Sequence, residues 1–303
     1  MTLAKRSRAE THVKNRIFAT LQLMRFPNLF TAMADILAGY LIVRGLKITW
    51  LELMALCLST CFIYGAGCIL NDVRDRKQDA RERPQRPIPS GRVSLGEALF
   101  LAFVFFGLGL VTGFLAGKTS LVIASILILL VVSYDIFTKE MPLAGPITMA
   151  ACRGVNLLLG MSPAFYWSGI IGIFPLITFT YVFGLTILSH FEVEGGLGGK
   201  GWVVSGSLFL VIFVLSIMQM TQHLLADCLI YLGLLVLFSG LPLFAGLLRP
   251  APHRVGRAVK YLILGIPLLD AVYVSGIHGW TYGIPMALCI VPSLAISRYI
   301  YVT

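Results

Sequence analysis

Charge is what this sequence has least of. Only 13% of its 303 residues are Asp, Glu, Lys or Arg, and just 14 are acidic. No polar stretch is long enough for a soluble folded module, since the longest polar connection runs from about Asn71 to Glu97. Metal-ligand and disulfide spacings are missing too. The six cysteines, Cys57, Cys61, Cys68, Cys152, Cys228 and Cys289, fall inside apolar runs and read as small buried residues. The basic excess, a net charge of +10, is spread over loops rather than gathered on one module, which argues against nucleic acid as a partner.

Hydrophobicity fills the space that charge leaves. Apolar residues make up 57% of the chain, in repeated runs of the roughly 20 residues that a helix needs to cross a bilayer. Ten candidate spans lie near 18–43, 50–70, 97–116, 119–137, 143–167, 169–189, 202–220, 224–247, 258–276 and 281–300, with nine as the fallback. The expected fold is all-α: a polytopic transmembrane helical bundle forming one membrane domain over 1–303. The first run is too long for a signal segment and lacks a small-residue cleavage site, so it is expected to be retained.

Most of the Lys and Arg residues precede the first span or follow spans two, four, six and eight, while Arg44, Lys47 and Lys118 fall on the other side. The positive-inside rule then places the N-terminus and the even-numbered loops in the cytoplasm. The expected location is the cell (inner) membrane.

The little acid there is gathers in one place. Between Asn71 and Gly91 the chain reads N-D-V-R-D-R-K-Q-D-A-R-E-R-P-Q-R-P-I-P-S-G. Asp72, Asp75 and Asp79 recur at i, i+3 and i+7, so a helix continuing from the apolar run puts all three on one face. Neighbouring carboxylates repel unless a cation neutralises them, and hard oxygen ligands suit Mg²⁺. Pro84, Pro87 and Pro89 then stop the helix, and an extended return would bring Arg81, Arg83 and Arg86 back toward the acids.

The next polar loop carries Tyr134, Asp135, Lys139 and Glu140. Arg153 and Asn156 lie one turn apart in the following span; a charge there costs enough that it either faces a polar cavity or snorkels to the interface. Asp35 and Asp270 are also intramembrane, as lining of a passage or as packing residues. Glu192 and Glu194 follow span six in a glycine-rich loop, either as a second cation site or as an ordinary solvated connection.

Acids and bases at the inner ends of membrane helices suit a ligand that is both very polar and very greasy, such as an isoprenyl diphosphate. Mg²⁺ would bridge its diphosphate to the carboxylates, with Arg and Lys as further donors. Ionisation of the allylic C–O bond would leave negative charge on the diphosphate for metal and bases to stabilise.

N-D-x-x-D-x-x-x-D followed by R-P-I-P-S-G, together with the Tyr-to-Lys segment after span four, resembles the UbiA superfamily of intramembrane aromatic prenyltransferases. The resemblance implies a bundle around a central cavity opening near the cytoplasmic side, Mg²⁺ dependence, and prenyl transfer to an acceptor that the sequence does not name. Carried onto this chain, it makes Asn71, Asp72, Asp75 and Asp79 the first metal-diphosphate site, while Arg25, Tyr134 and Lys139 contact diphosphate or shape its pocket. The second aspartate-rich motif expected after span six is replaced by Glu192 and Glu194. C-R-G-V-N-L-L-L-G-M-S with E-V-x-G-G is most similar to a UbiA-like subgroup encoded in bacterial and algal Ebo clusters.

The candidate catalytic residues are therefore Asp72, Asp75, Asp79, Lys139 and Arg153. Arg25, Asn71, Arg86, Tyr134 and Asn156 are candidates for substrate binding, and Asn71, Asp72, Asp75, Asp79, Glu192 and Glu194 for metal binding. Three other readings remain. The acids could form a solvated helix end paired with Arg74, Arg76 and Lys77. A CDP-alcohol phosphotransferase would need a D-G-x-x-A-R element, which is absent. An isoprenoid carrier or flippase would bind the same ligand without reacting it.

Overall fold

A computed structural model describes residues 16–164, 170–194, 201–248 and 251–297, with 191–194 as backbone only. After a helical stretch over 16–23, the elements run α1 (Phe26–Arg44), α2 (Trp50–Glu82), α3 (Leu95–Ala116), α4 (Lys118–Thr138) and α5 (Ala144–Met161). The second half holds α6 (Ile173–Glu194), α7 (Gly201–Met220), α8 (Cys228–Leu248) and α9 (Pro252–His278). The last segment, α10, is Trp280–Ile296.

Among the described residues, eight helices are long and apolar enough to cross a membrane. The other two expected spans are α5, which is 18 residues long and carries Arg153, and the interrupted α10. Pro285 and Pro292 sit near the starts of its two short α-helical pieces, Ile284–Leu288 and Ile290–Ile296. There they give up amide donors that a continuous helix would use. The first apolar run also differs from the expectation, because its helix is broken at Met24–Arg25. Arg25 takes a left-handed conformation (φ 47°, ψ 52°) and Pro27 then opens α1.

Two helices contain a π-turn. In α4 it covers Tyr134–Thr138, where the Lys139 amide donates to the Tyr134 carbonyl (2.9 Å). In α8 it covers Val236–Gly240. The return after α2 ends in a capping box: Ser94 Oγ accepts from the Glu97 amide and Glu97 Oε2 accepts from the Ser94 amide, which starts α3 cleanly.

α1, α2, α5, α6 and α9 are the inner helices, and α1 and α9 bury most of their residues. α3, α4 and α7 turn large apolar side chains outward, among them Phe103, Leu129 and Trp202. In water that surface would drive aggregation; in lipid it is already solvated. The α1–α5 crossing brings backbone close to backbone. A Cβ added at Gly39 would lie 2.4 Å from the Leu157 carbonyl oxygen, and one at Gly160 would lie 2.6 Å from that of Ile36. Small residues let the two backbones touch, which brings Asp35 of α1 against Arg153 and Asn156 of α5.

Candidate active site

A cavity of about 720 Å³ opens between these inner helices, within the size range of small-molecule sites. Along α2, Thr60, Tyr64, Cys68, Asn71 and Asp75 line it at near-helical spacing, so that one face of one helix runs from floor to mouth. Ile63, Leu127, Val131, Val182, Leu185 and Ile266 supply apolar wall.

The mouth is built on the continuation of α2 beyond its apolar part. Asp72 and Asp79 are buried there, and Asp75 is partly exposed. Each carboxylate is turned to a base. Arg86 Nη1 donates to Asp79 Oδ2 (2.8 Å) and Asp72 Oδ1 (3.3 Å). Lys139 Nζ donates to Asp75 Oδ2, and Arg25 Nη2 lies 3.5 Å from Asp72 Oδ1. The proline-rich return carries Arg86 back onto the acids, by consecutive turns rather than the extended path expected. Arg83 lines the cavity, while Arg81 is exposed.

Asn71 joins the two polar loops. Its carbonyl accepts from Arg25 Nη2 (3.2 Å), and its amide donates to Asp135 Oδ1 (3.0 Å). The left-handed turn at Arg25 and the π-turn at Tyr134–Thr138 thus both aim side chains at Asn71 and its neighbours. Irregular backbone of either kind costs energy and clusters at functional sites. Tyr134 lines the same cavity. Asp135 is a member that sequence reasoning left off the site; a polar residue just past an apolar run was the only signal for it.

Arg153 and Asn156 line the cavity away from the mouth. Asn156 accepts from Thr60 Oγ1 (2.6 Å) and donates to Asp35 Oδ2 (2.8 Å) and to the Ala32 carbonyl (3.0 Å). Arg153 Nε is 2.7 Å from the same Asp35 oxygen. Thr60 is eleven residues before Asn71, so at ~1.5 Å per residue this floor lies ~16 Å below the mouth. Glu192 and Glu194 lie in the last turn of α6 rather than in the loop expected after it, and their side chains lie outside the described residues. Thr31, Tyr64, Ser189 and His253 also line the cavity and were not expected there.

Among the described residues, no three acidic, histidine or cysteine side chains converge into a ready metal cage. The aspartates spend their oxygens on Arg25, Arg86 and Lys139 instead. The donor set still fits Mg²⁺: hard oxygens on one helix face, with cations beside them that suit the phosphate oxygens of a magnesium diphosphate.

Similarity to known proteins follows the same architecture. The model of the UbiA prenyltransferase family matches residues 32–303. A digeranylgeranylglyceryl phosphate synthase of Sulfolobus acidocaldarius is 28% identical over 287 residues, covering 94% of this chain and 96% of that protein. One from Sulfurisphaera tokodaii is 29% identical over 188 residues, 62% of this chain and 66% of its own length. Among solved structures, a UbiA homologue from Aeropyrum pernix superposes with a TM-score of 0.67 at 14% identity, over 80% of this chain and 96% of its own. A UbiA homologue from Archaeoglobus fulgidus bound to GPP and Mg²⁺ gives 0.51 at 13% identity, over 92% and 99%. With a family match over most of its length and an all-helical fold shared with those structures, this chain belongs to the UbiA prenyltransferase family.

Proposed function

We propose that this integral membrane protein transfers a prenyl group from an isoprenyl diphosphate to an acceptor held in the same cavity. One observation carries the reading. Asp75 lines the mouth of a cavity with Arg25, Arg86 and Lys139, Asp72 and Asp79 pair with those same lining arginines, and Leu127, Val131, Val182 and Leu185 give the cavity apolar wall. Diphosphate fits the mouth and an isoprenoid tail fits the walls.

Asp72, Asp75 and Asp79, with the Asn71 carbonyl, would hold Mg²⁺, which when bound neutralises charge on the diphosphate and favours its departure. The chain's own part is exchange of partners. Arg25, Arg86 and Lys139, now bonded to the acids and to Asn71, would release them and donate to phosphate oxygens. Those donors stabilise the negative charge that builds as the allylic C–O bond breaks. Tyr134 and Tyr64 also line the cavity, and the apolar wall keeps water from the allylic carbon.

The positive loops favour a cytoplasmic mouth. On this reading the whole chain forms one membrane domain in a cell membrane, with its site facing the soluble pool of diphosphates. The test is prenyl transfer by the purified protein with an allylic diphosphate and Mg²⁺. EDTA should abolish product and restored Mg²⁺ should recover it, and Asp75→Ala or Asp79→Ala should abolish Mg²⁺-dependent diphosphate binding with the fold retained. Unchanged binding in both variants would remove the metal-site assignment. Lipid binding without any product would favour a carrier.

A further inference from the structure

The return between α2 and α3 is held together by an arginine that takes no part in the aspartate pairs. Arg92 is exposed, and its three hydrogen-bond acceptors are all uncharged. Its Nη2 donates to the Gln85 carbonyl (2.6 Å), its Nε to Ser90 Oγ (3.0 Å) and its Nη1 to Gln22 Oε1 (2.7 Å). One guanidinium thus ties the start of the return to its end, and both to the helical stretch over 16–23.

The bond to Gln85 acts directly on Arg86, because that carbonyl and the Arg86 amide belong to one peptide group. The same amide donates to the Arg83 carbonyl (3.0 Å), and the Arg86 carbonyl accepts from the Ser90 amide (3.0 Å). Both peptide groups beside the Arg86 Cα are therefore held, and the side chain leaves from a set point toward Asp72 and Asp79. Gln22 holds the other arginine of Asp72. Its carbonyl accepts from the Arg25 amide (3.0 Å), at the left-handed turn. Its helix is anchored in turn by Ala19 and Leu23, fully buried in a cluster with Ile69 and Val73 of α2 and Val93 of the return. Arg25 Nη2 and Arg86 Nη1, which approach Asp72 Oδ1 at 3.5 and 3.3 Å, are thus set from one frame.

We propose, resting on the prenyl-transfer reading above, that Arg92 is a positioning residue. Braced on Gln22, it sets where Arg86 stands relative to Arg25, so that the two guanidiniums reach the oxygens of one diphosphate together. Arginine serves here through its shape. Three acceptors on three segments match the spread N–H groups of a planar guanidinium, whereas all the donors of a lysine sit on one nitrogen. Exposed hydrogen bonds of this kind add little to folding stability. Their effect is on geometry, since a shift of about 1 Å in groups that position a substrate can cost on the order of a hundredfold.

The test is a double-substitution cycle on the full chain, read by binding of a non-hydrolysable allylic diphosphate analogue with Mg²⁺ and by the unfolding temperature of each variant. Arg92→Gln should weaken binding about tenfold while the unfolding temperature stays close to wild type. It should have no further effect where Arg86 is already replaced by Ala, because its influence passes through Arg86. Arg92→Lys keeps the charge and should weaken binding nearly as much. Gln22→Ala removes one bond of the three and should weaken binding about threefold, again only while Arg86 is present. Equal losses with and without Arg86 would overturn the proposal, as would wild-type affinity in Arg92→Lys or in Arg92→Gln. If Arg92→Gln does not fold, the Gln22→Ala cycle decides by the same comparison. Wild-type binding is measured first: its failure to respond to Mg²⁺ removes the prenyl-transfer reading and the proposal with it, whereas the other outcomes bear on Arg92 alone.

Discussion

Replacing Arg86 with Ala should change stability, metal affinity and diphosphate affinity together, with signs set by the side chain's position. Arg86 is the base bonded to Asp79, and it shares Asp72 with Arg25. Removing one partner of a buried ion pair typically costs about 3–5 kcal/mol. Here Asp72 keeps Arg25 and the mouth admits water, so the cost should fall nearer the ~1–3 kcal/mol of a buried group left unsatisfied. The loss has a counterpart: without Arg86, Asp79 is free to bind a divalent ion and Asp72 has one competing base fewer. Mg²⁺ alone should therefore stabilise Arg86→Ala against heat more than it stabilises wild type. Diphosphate binding should move the other way. A charge-assisted hydrogen bond contributes about 1.5–3 kcal/mol, which weakens donor affinity roughly 10- to 150-fold. Thermal unfolding in detergent with and without Mg²⁺, alongside calorimetric titration of an allylic diphosphate, reads all three quantities. Arg86→Lys should recover part of the affinity, because it restores charge without the two-pronged geometry. Wild-type diphosphate affinity in Arg86→Ala, or a Mg²⁺ response no larger than wild type's, would refute the partner-exchange argument.

Two further predictions concern the frame and the end of α6. Gly39→Val should lower the unfolding temperature markedly, since even its Cβ would meet the Leu157 carbonyl oxygen at 2.4 Å; overpacking of this kind costs about 1–3 kcal/mol or more, and a wild-type melting curve would refute the close crossing. Glu192→Ala should reduce transfer if the glutamates stand in for the second aspartate motif, and unchanged kinetics would make them an ordinary helix end.

The bundle was legible because each span is its own statement: a run of apolar residues long enough for a bilayer reads as a helix whatever surrounds it. The aspartate face was legible for a similar reason, since three positions on one helix need no knowledge of the rest of the fold. Arg86 could be anticipated from the prolines that turn the chain back. Other parts depend on backbone that composition does not announce. The left-handed turn at Arg25 sits within an apolar run, and the π-turn places Asp135 against Asn71 where residue spacing alone gives no such contact. The floor illustrates a third kind of difficulty. Asp35, Arg153 and Asp270 each stood out as charges within spans, yet they come from α1, α5 and α9, and only helix packing reveals that they are one group.

The π-turn at Tyr134–Thr138 also bears on how related chains are aligned. In an α-helix, residues four apart stack over one another; across a π-turn, residues five apart do so. Tyr134 and Lys139 are five apart and joined by that wider turn. A chain with an unbroken helix here would present the same tyrosine and lysine with one residue fewer between them. Length differences of one at this point are then changes of winding, not of site, and a gap placed elsewhere to hide them would displace the lysine from its aspartate.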